Sequence, residues 1–347
     1  SYILANFSKY NTDGTNASLR GVEKDGYENQ TDLLKFGFEI TEELTTTVQA
    51  RRSRNRIETD PQDFAFPPTE TQGLVIDGND WSKTSQKYNA LALSYESINN
   101  PIRSTLKIGS SRTSSRFFQD GLYALANAGG RDSIDWLLSN SWSTDNEHTL
   151  SAAFQHERLK FENRSKSYLA ANYNEKLKQS GFSLMYRLSP STRTHLNFSV
   201  RHDQNSRFKD EQSFKVSASH LLNNLETRLH GSVATGSTNP SFIELFGYAP
   251  SNFEGNPDLE PEKSISYDLG VEQALLNDQA LIDLTIFQSD LKDEIGTVFD
   301  SATFRSTSKN DLSLIHISEP TRPLYISYAV VFLEKKRGGG GGGGGGG

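Results

Sequence analysis

Cysteine is absent from all 347 residues, which excludes a disulfide framework and any thiolate-held metal. Long apolar runs are absent too, so no transmembrane helix is encoded. Hydrophobic residues make up only 34% of the chain and mean hydropathy is −0.60. A soluble domain of this length would be short of core material. The net charge of −7 argues against nucleic acid as a partner, because phosphate binding needs a concentrated basic surface. Seven histidines accompany many serines and carboxylates, yet neither HExxH nor a nucleophile elbow occurs. No enzyme is expected. No signal peptide is visible, but the sequence opens at Ser1 without Met and is expected to be cut there.

What is present is alternation. In Gln30–Ile40, Leu34, Phe36, Phe38 and Ile40 share one face, while Lys35, Gly37 and Glu39 share the other. The same period of two recurs in Leu44–Ile57, Lys83–Ser97, Ile102–Phe117, Ser133–Trp142, Thr149–Phe161, Lys178–Leu188, Thr194–His202, Gln212–Leu221, Glu226–Thr235, Ser264–Gln273 and Ala280–Leu291. Ser1–Tyr10 and a partial strand near Thr297–Arg305 complete about fourteen. Short connections near Thr41, Asn99, Asp145, Pro190, Asn223 and Asn277 alternate with long ones at 11–29, 58–82, 118–132, 164–177, 203–210 and 236–262. A soluble sandwich does not usually sort its loops by length onto one end. A transmembrane β-barrel does, and it needs apolar residues on one strand face only. The expectation is an all-β chain, part of a large antiparallel transmembrane barrel, with an incomplete sheet and free edges. Trp136, Trp142, Tyr95 and Tyr186 are expected in an interfacial girdle. Arg51, Arg52, Arg54 and Arg56 are too polar for lipid and belong in a wet rim or lumen. There they suit lipopolysaccharide phosphates or anionic ligand groups, although a merely solvated strand is the simpler reading.

The last residues read differently. LSLIHISEPTR (312–322), three further residues, ISYAVVF (326–332) and the glycine run 338–347 resemble a translated sequencing adapter followed by poly-G. Residues 1–311 are therefore expected to form the partial barrel, and 312–347 a non-biological tail.

Between two alternating stretches lies Ala234–Lys263, with Pro240, Pro250, Pro257 and Pro261 and the turn formers Gly247, Gly255 and Asn256. It reads as a long loop, rich in Phe242, Glu244, Phe246, Tyr248, Phe253 and Glu254. Its wording, ATG…P…ELFG, then GNPDLEPEKS, then the alternating SISYDLGVEQ, resembles the late-barrel signature of TonB-dependent outer-membrane receptors, nearest the cobalamin branch. A second similar stretch is LNFSVRHDQNSRFKDEQSFKVSASHLL, where His202, Asp203, Arg207 and Phe208 match and Lys209 replaces the usual Gly. In the first stretch Ser237 and Thr238 stand where the family more often has an aromatic and a basic residue.

The resemblance implies a plugged barrel of about 22 strands, of which the plug domain is absent here. It implies a Gram-negative-type outer-membrane receptor that captures a scarce nutrient, cobalamin or another corrinoid, and imports it with energy relayed by TonB. A ferric-siderophore receptor of the same family and a plugless porin are the alternatives. The implied partners are TonB, a corrinoid or ferric chelate, and outer-membrane lipid with lipopolysaccharide. Phe242, Glu244, Phe246, Tyr248 and Phe253 are the ligand-loop candidates. Calcium is implied as a possible cofactor, because cobalamin receptors order two acidic loops with it. Glu23, Asp25, Asp60 and Asp77 are its candidate ligands, although no EF-hand-like spacing supports them.

Overall fold

A computed structural model describes residues 1–18, 21–222, 226–248, 253–275 and 280–310. The expected turns at Asn223 and Asn277, Pro250 within the signature loop, and the tail 312–347 lie outside them.

Thirteen strands form one antiparallel sheet in which each strand pairs with its neighbours in sequence. They are β1 (Tyr2–Thr12), β2 (Tyr27–Glu39), β3 (Leu44–Thr59), β4 (Asp80–Glu96), β5 (Ile102–Gln119), β6 (Leu122–Ser143), β7 (Glu147–Ser165), β8 (Tyr173–Ser191), β9 (Thr194–Asn205), β10 (Glu211–Leu221) and β11 (Thr227–Thr238). After the signature loop, which contains α1 (Phe242–Phe246) and β12 (Phe253–Glu254), come β13 (Glu262–Leu275) and β14 (Ala280–Lys292). Among the described residues the sheet is open, with β1 and β14 as its edges. A separate small sheet joins β12, β15 (Ile295–Asp300) and β16 (Arg305–Asn310).

The apolar residues are on the outside. Ile3, Phe38, Phe182, Val200 and Leu269 are each exposed by about half or more, whereas the buried apolar side chains among the described residues are Ala171, Leu245 and Leu259. Cross-strand register gathers the exposed set into a belt on one face. One row runs Ile3–Phe36–Val48–Leu91–Ile108–Ile134, and then meets His156 and Ser180 in β7 and β8. Another enters at Trp142 and His148 and continues through Leu188, Leu196, Ala218, Gly231 and Leu269 to Ile286. The polar border thus retreats by close to one residue per strand. At ~3.3 Å rise and ~4.8 Å strand spacing this is a strand tilt of roughly 35°, that of closed barrels. In β6 the belt runs from Ile134 to Trp142, or about 26 Å along the strand and little over 20 Å upright. That height suits the hydrocarbon of a bilayer. The sheet is the wall of a transmembrane β-barrel, with the belt facing lipid and the opposite face lining the lumen.

Trp142, His148 and Tyr186 stack near the short-turn end, with 5.2 Å between the Trp142 and His148 rings and 2.7 Å between His148 Nδ1 and the Tyr186 hydroxyl. Trp136 departs from the expectation: it lies within its strand, one step below the upper border, and its indole N–H donates to Ser104 Oγ at 3.0 Å.

Two expectations are corrected. The stretch 118–132 is no loop: β5 and β6 continue as a tall hairpin closed by Asp120 (φ 48°) and Gly121 (φ 73°). Two successive left-handed residues make the kind of turn that matches strand twist. Small residues in Ala124–Gly130 had disguised the strand, which runs for 22 residues. The partial strand expected near Thr297–Arg305 is two strands: Thr297–Asp300 belongs to β15, Arg305 opens β16, and the turn between them is held by Asp300 Oδ1 accepting from the Ala302 N–H at 2.9 Å.

Candidate functional site: the lumenal face of the signature loop

The signature loop turns inward. Its helix α1 starts at Ser241, whose hydroxyl accepts from the Glu244 N–H at 3.3 Å while the Glu244 carboxylate accepts from the Ser241 N–H at 2.6 Å. This reciprocal cap satisfies two N–H groups that a helix start leaves orphaned. Phe242 then stacks on Phe161 of β7 (5.7 Å between rings), and Phe246 lies 5.3 Å from Tyr173 of β8. Both wall residues have the parity opposite to the lipid belt, so α1 rests on the lumenal face. Burial pushes the Tyr173 phenol up to about 12, and its hydroxyl has no partner.

The two stretches that carried the family resemblance clasp each other. The Arg207 guanidinium lies 5.0 Å from the Phe246 ring centre and donates to the Pro257 carbonyl at 3.0 Å, and Lys209 approaches Glu260 at 3.6 Å. Leu245 and Leu259 fill the small core beneath. Gly247 (φ 70°) and Gly255 meet backbone to backbone: a Cβ on Gly255 would stand 2.3 Å from the Gly247 nitrogen. Asn256 donates to the Ser308 carbonyl at 2.9 Å, and Asn310 accepts from the Glu260 N–H at 2.8 Å.

Of the five ligand-loop candidates, Phe242, Glu244 and Phe246 are thus engaged in holding the loop. Tyr248 and Phe253 stack on each other at 5.4 Å, and Tyr248 is 44% exposed. Tyr248 also lines a cavity of about 420 Å³ at the long-loop end, together with Trp81, Phe117, Leu125, Ser165 and Tyr168. Its walls combine these aromatic rings with polar side chains such as Asp80, Ser82 and Gln119, a mix that suits a large ligand with both flat and polar parts. Neither Tyr168 nor Phe117 is among the expected ligand-loop residues: Tyr168 falls in 164–177, which reads as a loop, and Phe117 ends the alternating stretch Ile102–Phe117. The capping pattern Ser241-x-x-Glu244 was the signal in the sequence for the helix.

The four calcium candidates are placed in two neighbouring loops, and the carboxylates of three of them, Asp25, Asp60 and Asp77, accept from backbone amides. Asp77 Oδ2 accepts from the Val22 N–H at 2.7 Å and the Glu23 N–H at 3.2 Å. These bonds hold the Asp77 carboxyl below the usual carboxylate range, the Val22 amide foremost. Asp25 accepts from the Ala17 N–H at 3.0 Å and Asp60 from the Gly78 N–H at 3.1 Å. Asp60 Oδ2 alone is buried without a partner. No group of three or more potential ligands gathers among the described residues. As placed among the described residues, the set does not fit a six- to eight-oxygen calcium cage.

A long-stranded wall, belted on one face and carrying an inward-folded loop on the other, defines the class: part of a large transmembrane β-barrel with a loop folded onto its lumenal face. The chain belongs to the TonB dependent receptor-like, beta-barrel family, whose model matches residues 5–328. Among solved structures it resembles the siderophore receptor PirA of Pseudomonas aeruginosa (TM-score 0.68, 15% identity, 82% of this chain and 51% of that one). It also resembles a variant of the ferric enterobactin receptor PfeA of the same organism in complex with enterobactin (0.69, 14%, 89% and 53%). The copper transporter OprC is similar as well (0.67, 12%, 89% and 52%). The chain spans about half the length of these proteins. No curated protein matches the sequence.

Proposed function

We propose that this chain is part of an outer-membrane receptor that captures a metal chelate and imports it with energy relayed by TonB. A ferric siderophore is the preferred cargo and a corrinoid the second. The observation that carries the reading is the inward fold of the signature loop. Anchored through Phe161 and Tyr173, it occupies lumen that a passive pore would leave open. Family membership supports transport rather than catalysis, and the aromatic cavity around Tyr248 and Tyr168 supports a large ligand. The corrinoid reading rests on the wording of the signature alone. Cells lacking their own receptors and expressing the complete protein test it. Saturable uptake of a radioiron-labelled catecholate or hydroxamate chelate that vanishes without TonB is expected. Saturable, TonB-dependent uptake of cyanocobalamin instead would move the cargo to a corrinoid. Non-saturable, TonB-independent flux of small solutes would identify a porin.

A further inference from the structure

The cavity bordered by Trp81, Phe117, Tyr168 and Tyr248 carries charge of one sign only. Among the described residues that line it there is a single carboxylate, Asp80, and no Lys, Arg or His. Asp80 opens β4 opposite Thr59, which ends β3 and borders the same cavity. It shares the parity of Ser82 and Thr84, the lumenal face of the wall. Its Oδ1 accepts from the Asp120 N–H at the tip of the β5–β6 hairpin, at 2.9 Å. Its Oδ2 takes no hydrogen bond among the described residues.

The flanking segments add charge of the same sign. The stretch 60–80 carries Asp60, Asp63, Glu70, Asp77 and Asp80, and the signature loop from 239 to 262 carries Glu244, Glu254, Asp258, Glu260 and Glu262. Neither stretch contains a Lys, Arg or His. Lys209 and Arg305 approach Glu260 and Glu254 at 3.6 Å each and offset two of these charges. Arg56 and Lys83 lie 4.5 and 4.9 Å from the centre of the Trp81 ring, yet neither borders the cavity. Arg56 is also paired with Glu58 at 2.9 Å. Lys166, between Ser165 and Ser167, does not border the cavity either. A recess lined by one sign of charge focuses the field and concentrates ligands of the other sign. The aromatic walls act in the same direction, because a ring is negative over its face and draws cations.

Charge decides which chelate fits. Ferric iron held by three catecholates keeps a multiple negative charge, which Asp80 and both loops repel. Held by three hydroxamates it is neutral, and the chain of such a chelate can end in a protonated amine. Resting on the receptor reading above, we infer that the cargo is a ferric hydroxamate bearing a primary ammonium group, and that Asp80 selects it. The ammonium donates to Asp80 Oδ2, and the rings of Tyr168 and Tyr248 pack against the chain that carries it. Asp80 is thus a specificity-determining residue that the aromatic wording of the signature loop does not reveal.

The complete receptor, purified in detergent, would be titrated with a linear ferric trihydroxamate ending in a primary amine. Its N-acetylated form and a ferric tris-catecholate would be titrated separately. A charge-assisted hydrogen bond in a partly enclosed site is expected to favour the amine over the acetylated form by about tenfold, with the catecholate weakest. Asp80→Asn keeps Oδ1 as the acceptor for Asp120 and is expected to abolish that preference. Asp145→Asn, at the short-turn end, is the control and is expected to keep it. Heat-modifiable migration on gels confirms that each variant is folded, and Asp80→Ser replaces Asp80→Asn if it is not. Tightest binding of the catecholate, equal binding of the amine and acetylated forms, or a preference that survives Asp80→Asn would overturn the inference and leave the receptor reading standing. Binding of none of the three chelates would overturn the receptor reading, and the inference with it.

Discussion

The side-chain amide of Asn256 donates to the main-chain carbonyl of Ser308 across 2.9 Å, at a residue only 1% exposed. That bond ties the signature loop to the small sheet beyond β14. It explains why the GNPDLEP wording is demanding: Gly255 permits close backbone contact, Asn256 reaches Ser308, and Leu259 is buried.

Asn256→Ala should leave the Ser308 carbonyl without its partner and cost ~1–3 kcal/mol locally. Hydrogen exchange of residues 241–248 is expected to quicken while the wall strands stay protected. Unchanged exchange would show that the loop is held by other means.

Leu245→Ala, which empties the core beneath α1, should cost ~2–5 kcal/mol. Limited proteolysis within the loop is expected to rise, with the belt strands intact.

Tyr173 offers a contrast, because its buried hydroxyl has no partner. Tyr173→Phe is expected to be neutral or stabilising by up to ~1 kcal/mol. The native phenol, raised to about 12, keeps its proton in the fold after an unfolded tyrosine would have lost it. Its stabilising contribution is therefore complete below the ordinary value near 10 and declines as pH rises from there through about 12. Ultraviolet titration should find one tyrosinate fewer at pH 11 in the folded receptor than in the unfolded chain, a difference abolished in the variant.

Asp77 titrates in the opposite sense. Its folded value is lowered by the Val22 and Glu23 amides, so the stabilisation it gives is present above the ordinary value near 4 and lost as pH falls below it. The tie between loops 13–26 and 60–79 should hold from pH 5 to 8 and loosen in stronger acid. Asp77→Asn is expected to loosen it at every pH, by hydrogen exchange at Val22 and Glu23.

Much of the wall was legible because a single physical rule wrote it. Lipid on one side and water on the other impose a period of two, and Leu34–Phe38, Leu91–Tyr95 and Ile282–Ile286 display it plainly. The rule fails once strands rise out of the membrane. Both faces of Ala124–Gly130 are then wet, the alternation fades, and only the Asp120–Gly121 turn marks the hairpin. The site was legible as a location but not as a set of roles. Phe242 and Phe246 look like ligand-binding aromatics in sequence. Their wall partners Phe161 and Tyr173 lie 81 and 73 positions away, where no local pattern reveals them. The carboxylates of Asp25, Asp60 and Asp77 read as metal ligands for the same reason: the backbone amides that occupy them leave no mark on the sequence.

The central claim is that Leu106 faces lipid while its neighbour Lys107 faces the lumen. The lack of native cysteine makes single spin labels at Leu106→Cys and Lys107→Cys in the membrane-reconstituted complete receptor the most direct test. The label at 106 should collide mainly with oxygen and the label at 107 mainly with a water-soluble nickel chelate, with the preference alternating through 104–108. Equal accessibility at both positions, or the reverse order, would contradict the assignment of the two faces and with it the barrel.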